Sequence, residues 1–195
     1  MGVALEEKMI KIYTSDFPYT FVNKITNSFG LIDWLYYMKS KDILFFNSRF
    51  RMWSDLIIYD MKTNQKKCHF TKFECFYQNS IIELNENTIV VIQLNEFAVI
   101  NLSQFTIENR ISFIGRIFGD NLIFHDKTLR EFFSYNNNKI IFFMVGCLGV
   151  INLEEETIDT YPFSFNKNAN GMKKISSNKF VVYNHNKIIL YTINE

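Results

Sequence analysis

The feature that most constrains this chain is a pattern of three landmarks repeated in the same order. The first is an apolar residue, a polar turn of four residues and a strongly apolar strand. It occurs at Met38-Lys-Ser-Lys-Asp-Ile43, Leu84-Asn-Glu-Asn-Thr-Ile89, Tyr135-Asn-Asn-Asn-Lys-Ile140 and Ile175-Ser-Ser-Asn-Lys-Phe180. The second is an apolar anchor closed by a small polar residue: Tyr59-Asp60, Ile100-Asn101, Ile151-Asn152 and Tyr191-Thr192, with an earlier copy at Tyr13-Thr14. The third is a threonine opening a further strand, at Thr63, Thr106, Thr157 and, more loosely, Thr20. Anchors recur at intervals of roughly 40–50 residues, the period of stacked supersecondary repeats.

The repeated pieces are strands. Runs of Ile, Val, Phe and Tyr alternate with Asn, Asp, Ser and Lys, the composition of short β-strands between turns. The best helical stretch, Asp126 to Phe133, is short and runs into Asn136-Asn-Asn. The class is all-β. Each repeat supplies a strand a, an apolar strand b, an alternating strand c and a polar strand d. A strand such as Ile89-Val-Val-Ile92 is apolar on both faces, so its sheet must have other sheets above and below it. Strand d, carrying Lys66-Lys67 or Glu108-Asn-Arg110, suits a wetter edge. Four-stranded antiparallel sheets covered on both faces by their neighbours are β-propeller blades.

Residues 1–195 are expected to form one propeller-like domain, with repeats at about 8–25 (partial), 34–70, 78–113, 129–163 and 172–195 (partial). The first partial repeat supplies strands c and d, and the last supplies a, b and c. Two arrangements satisfy this count: a four-bladed ring closed by the N-terminal strand, or an arc of a larger propeller. An open arc would leave strand edges bare, and self-association is then expected. A non-repetitive sandwich or barrel is the competing architecture.

The order turn, apolar strand, turn, Leu-Ile-Ile-Tyr59-Asp60, then Thr63 resembles the WD-repeat β-propeller pattern, with Ile100-Asn101 and Ile151-Asn152 as degenerate copies. The resemblance covers roughly residues 8–195 and implies a non-catalytic scaffold that binds protein partners through loops at the blade ends.

Charge and cysteine usage narrow the function classes. With 21 Lys and Arg against 20 Asp and Glu, the chain lacks the cationic excess that phosphate binding requires, which argues against nucleic acid as the main partner. Three cysteines are too few for a disulfide framework, and the N-terminus lacks the shape of a signal peptide, so a cytoplasmic location is expected. The longest apolar run, Ile140 to Ile151, is shorter than a membrane-spanning helix and is broken by Gly146 and Gly149. It reads as two strands joined by a tight turn, and no membrane partner is expected. The sequon Asn101-Leu102-Ser103 reads as coincidence in an Asn-rich chain.

No catalytic constellation, metal site or cofactor motif emerges. Cys68, His69 and Cys75 are close in sequence, but their spacing matches no common zinc pattern, and adjacent strand residues face opposite ways. His125 and His185 have no nucleophile motif beside them, and Glu154-Glu155-Glu156 falls in a turn between strands c and d.

The segment of greatest interest is residues 47–55, read as an enlarged b–c loop. It carries Arg49, Phe50, Arg51 and Trp53, residue types enriched at protein-interface hot spots. These four are the expected partner-binding residues. Two other readings stay open: an RNA-binding module that stacks bases between arginine and aromatic groups, and a longer hairpin with the arginines outward. Gly115 to His125 is a second, weaker candidate for a surface insertion.

Overall fold

The computed structural model describes the chain outside positions 1, 7, 14–16, 19, 27–29, 52, 74–80, 94–95, 113–128, 145–146, 163–170, 177, 184–185 and 194–195. The described residues form antiparallel sheets and no helix. They divide into two compact units, Met1–Gln78 and Asn79–Glu195.

The first unit holds two sheets. One is β1 (Gly2–Glu6), β2 (Met9–Tyr13) and β3 (Phe21–Thr26), in that order. The other is β4 (Leu35–Met38), β5 (Ile43–Phe50), β6 (Trp53–Asp60) and β7 (Gln65–Phe70). Between them lies a core in which Ile10, Ile12 and Ile25 of the first sheet meet Leu44, Phe46 and Ile57 of the second. Strand β1 occupies the b position of the first sheet, pairing Val3 with Ile12 and Leu5 with Ile10. That sheet therefore begins at Gly2, not at residue 8. The acidic pair Glu6-Glu7 hides this strand from a reading by hydrophobicity, whereas the backbone ladder ignores side-chain charge.

The second unit holds three sheets in sequence order. They are β8 (Ile81–Asn85), β9 (Thr88–Ile92), β10 (Glu96–Asn101), β11 (Thr106–Ser112); β12 (Leu129–Ser134), β13 (Lys139–Met144), β14 (Cys147–Asn152), β15 (Thr157–Pro162); and β16 (Gly171–Ser176), β17 (Lys179–Tyr183), β18 (Ile188–Thr192). Neighbouring strands pair antiparallel throughout. Phe97, Val99 and Val90 pack on Ile140, Phe142 and Ile151 of the next sheet. The opposite face of that sheet, through Ile141, packs on Met172, Phe180 and Val182. The b strand β9 is buried on both faces, as its apolar composition requires. Each fully buried Phe or Ile contributes about 1.5–3 kcal/mol relative to exposure, so these shared faces hold the sheets together.

Four local devices repeat with the sheets and explain the landmarks. Asp60, Asn101 and Asn152 each close strand c with an Asx turn: Asp60 Oδ1 accepts the Lys62 amide at 2.8 Å, Asn101 Oδ1 that of Ser103 at 2.8 Å, and Asn152 Oδ1 that of Glu154 at 3.1 Å. Four positions on, Asn64, Phe105 and Glu156 take left-handed φ values of 55°, 55° and 53°, turning the chain into strand d. The amide just after the anchor dipeptide then bonds a carbonyl in the a–b turn: Met61 to Asp42 at 2.9 Å, Leu102 to Asn87 at 2.7 Å, Leu153 to Asn138 at 2.7 Å and Ile193 to Asn178 at 2.9 Å. Finally, a strand d asparagine reaches the left-handed turn residue of the following sheet, Asn23 to Asn64 in the first unit and Asn109 to Glu156 at 2.7 Å in the second.

One landmark shifts. Thr106 and Thr157 open their strands, but Thr63 lies inside its turn, and Gln65 takes the equivalent place.

Candidate functional site

Strands β5 and β6 are eight residues each, against five or six for β9, β10, β13, β14, β17 and β18. The extra length carries the b–c hairpin beyond the neighbouring strands. Residues 47–55 are therefore not an irregular loop. Asn47 pairs with Leu56, Ser48 with Asp55, Arg49 with Ser54 and Phe50 with Trp53, which closes the hairpin. Arg51 sits at φ 55°, the positive value that tight hairpin turns demand. Of the readings open to this segment, the longer hairpin is the form it takes, and the ladder pairs without a break.

The hairpin is held from the side by residues 30–34. Leu31 and Arg49 exchange backbone hydrogen bonds of 2.9 and 2.8 Å. A Cβ on Gly30 would lie 2.4 Å from the Arg49 carbonyl oxygen, so glycine is needed for this approach. The side chain of Asn47 is buried, and its Oδ1 accepts the amides of Asp33 and Trp34 at 2.9 and 3.0 Å. Its Nδ2 donates to Asp33 Oδ2 at 3.1 Å. Arg49 completes the clamp with a two-pronged bond to Asp33, Nε to Oδ2 at 2.5 Å and Nη2 to Oδ1 at 2.9 Å. Above all through this arginine, and also through Asn47, the Asp33 carboxyl is held below the usual aspartate range.

Beyond the clamp stand the two aromatic residues of the closing pair. Phe50 is 60% exposed and Trp53 is 52% exposed. Each ring has a cation over it: the Arg51 guanidinium lies 5.6 Å from the Phe50 centroid and Lys72 Nζ lies 5.6 Å from that of Trp53. Lys72 is placed from below, where its amide donates to Asp55 Oδ1 at 2.8 Å while His69 Nε2 meets Asp55 Oδ2 at 2.8 Å.

The four residues expected from sequence do share one structure, with a division of labour. Arg49 braces the frame, whereas Phe50, Arg51 and Trp53 face outward. Asn47 and Asp55 lie in the segment singled out from sequence but were not among its expected binding residues, and nothing local marks Asp33 and Lys72, which come from outside the hairpin.

The other sequence candidates place differently. Cys68 and His69 are adjacent on β7, with His69 engaged to Asp55 and the Cys68 thiol pushed up by burial. Glu154, Glu155 and Glu156 occupy the c–d turn. Asn101 of the sequon serves its Asx turn and donates to Glu108 Oε1 at 2.7 Å. Cys75, His125, His185 and the segment 115–125 lie outside the described residues. Among the described residues, no helix is long and apolar enough to cross a membrane.

No family model matches the sequence, and no curated protein does. Among solved structures the chain is similar to Hsv2 of Kluyveromyces lactis, at 10% identity and a TM-score of 0.51, over 99% of this chain and 71% of that one. It is also similar to the dihydro-heme d1 dehydrogenase NirN in complex with DHE, at 7% identity and a TM-score of 0.68, over 98% of this chain and 41% of that one. At such identities the likeness carries the fold alone. Together with the repeated four-stranded antiparallel sheets, it makes this an all-β chain of β-propeller blades.

Proposed function

We propose that the chain is a non-catalytic protein-interaction module of WD-repeat-like type, whose binding element is the tip of the β5–β6 hairpin. The observation that carries this reading is the closing pair Phe50 and Trp53, two large aromatics left exposed on a braced frame. Exposed aromatics flanked by cations match the composition of interface hot spots, and a rigid frame reduces the entropy lost on binding. The cations Arg51 and Lys72 favour a partner that presents an acidic surface around an apolar pocket. The Asp33 carboxylate is committed to Arg49 and the Asn47 side-chain amide, and that of Asp55 to the Lys72 backbone amide and His69, which supports a scaffold over a catalytic role. NirN is a dehydrogenase on a related fold, so the assignment rests on this site and not on the fold. Kinship with WD repeats is supported by the Asx turn and left-handed residue that join strands c and d in three sheets.

The test is affinity capture with the full chain, followed by titration of the recovered partner. Changing Phe50 and Trp53 together to alanine should weaken binding at least about 30-fold, the loss expected of one hot-spot aromatic, with unchanged circular dichroism. Capture abolished by ribonuclease, with affinity falling steeply with salt, would replace this reading by the RNA-binding one.

A further inference from the structure

The two cations at the hairpin tip are held differently, and the difference points to a residue beneath them. Cross-strand partners share a face of a hairpin, so Phe50 and Trp53 stand on the face that further down carries Ser48 with Asp55 and Phe46 with Ile57. His69 pairs with Ile57 and joins that face from β7. Trp53 and Asp55 are thus successive side chains of one column, with the exposed ring at its end and the carboxylate below.

Lys72 is fixed to this column through its backbone. Its amide donates to Asp55 Oδ1 at 2.8 Å, and His69 Nε2 meets the other carboxylate oxygen at 2.8 Å. The next residue, Phe73, is fully buried and packs on Phe70 with ring centroids 5.6 Å apart. Pinned on both sides, the backbone aims the exposed lysine at the indole. Left-handed φ values are uncommon outside glycine, and among the described residues Asp42, Arg51, Asn64, Lys72, Phe105 and Glu156 take them. The two cations in that group are Arg51 and Lys72, at φ 55° and 54°, and each stands over one ring of the closing pair. Glycine would relieve the backbone at either place, so the reason for a cation there lies in its side chain.

Charge then selects the ligand. The other basic side chains of the site are matched, Arg49 with Asp33 and His69 with Asp55. Among the described residues no carboxylate meets the side chain of Arg51 or Lys72. An ammonium over an indole keeps donors turned away from the ring, and a carboxylate is the acceptor that bonds them most strongly.

We propose that Lys72 is the docking point for a carboxylate of the partner and that Asp55 is its positioning residue; this rests on the reading of the tip as a protein-binding element. The partner segment places Asp or Glu beside an apolar side chain, so that the apolar group covers Phe50 and Trp53 while the acid reaches Lys72. Because the lysine backbone is already ordered, less entropy is lost when the acid docks.

Trp53 reports the arrangement without any partner. Of the two tryptophans, Trp34 is buried and Trp53 is 52% exposed. In the full chain, with the Trp53→Phe signal subtracted, iodide should quench this indole more strongly than caesium does. Asp55→Asn and Asp55→Ala remove the same charge, and by field alone both would raise iodide quenching equally. Asparagine keeps an oxygen for the Lys72 amide and alanine does not, so iodide quenching should hold or rise in the first and fall in the second. An equal rise in both overturns the positioning role, as does free hydrogen exchange at the Lys72 amide of the unaltered chain. The docking point is tested with a fluorescent peptide carrying leucine between glutamates, against one with leucine between lysines. The acidic peptide should bind at least about fivefold tighter, an advantage kept in Asp55→Asn and lost in Asp55→Ala and in Lys72→Gly, which suits the left-handed backbone. Equal binding of the two peptides, or an advantage that survives Lys72→Gly, overturns the proposal. So does binding of single-stranded oligouridine that Lys72→Gly abolishes, with no peptide binding. A captured partner that needs Phe50 and Trp53 but not Lys72 would leave the tip as a binding element and remove this docking point alone.

Discussion

Arg51 carries two opposed demands in one residue. The hairpin turn needs a left-handed backbone, which costs a non-glycine residue about 1 kcal/mol, while the exposed tip benefits from a cation beside Phe50. Arg51→Gly should therefore raise stability in urea by up to about 1 kcal/mol relative to Arg51→Ala, and both should weaken partner binding alike. Equal stability of the two variants would mean that the turn does not impose this conformation. Asp33 gives the site a pH dependence of defined sign. Its folded pKa is depressed, chiefly by Arg49, so its contribution to stability is present above about pH 4 and is lost as pH falls through the folded value. Urea midpoints measured from pH 7 to pH 2 should fall more steeply in the wild type than in Asp33→Asn. Parallel curves would show that the clamp adds nothing to stability.

At the scale of the element, what could be read from sequence depended on whether a feature was local. The polar residue after each anchor was legible because an Asx turn needs Asp or Asn at one position and acts two residues away, as at Asp60, Asn101 and Asn152. The bond from Asn109 to Glu156 spans 47 residues, and no spacing rule marks it. The hairpin tip sits between these cases. Arg49, Phe50, Arg51 and Trp53 drew notice by residue type, but Asp33 and Lys72, which give the tip its frame and its second cation, needed the folded chain. The Asn109–Glu156 bond also yields a quantitative expectation. In a double-mutant cycle with Asn109→Ala and Glu156→Ala, the coupling should be about 0.5–1.5 kcal/mol, the range for one net hydrogen bond, and its exposure favours the lower end. A coupling near zero would leave the apolar faces as what joins these two sheets.

At the scale of the whole chain, the repeat was legible because burial on both faces of a strand leaves a continuous apolar run, whereas the start of the first sheet was not, because Glu6 breaks that run. The same two-faced burial makes the sheet β12–β15 the middle element of its unit, with Phe142 packed toward β8–β11 and Ile141 toward β16–β18. Gly149 is the point at which this can be probed. It stands opposite Phe142 in the ladder, and a Cβ there would lie 1.9 Å from the Phe142 ring, so Gly149→Ala must push the ring toward the neighbouring core. Overpacking of this kind costs about 1–3 kcal/mol. If the shared cores make the unit one cooperative body, hydrogen exchange in the variant should accelerate together in β8 to β18 and by a similar factor in each sheet. Acceleration confined to β13 and β14 would show instead that each blade opens alone, and that contact between faces, however apolar, does not couple them.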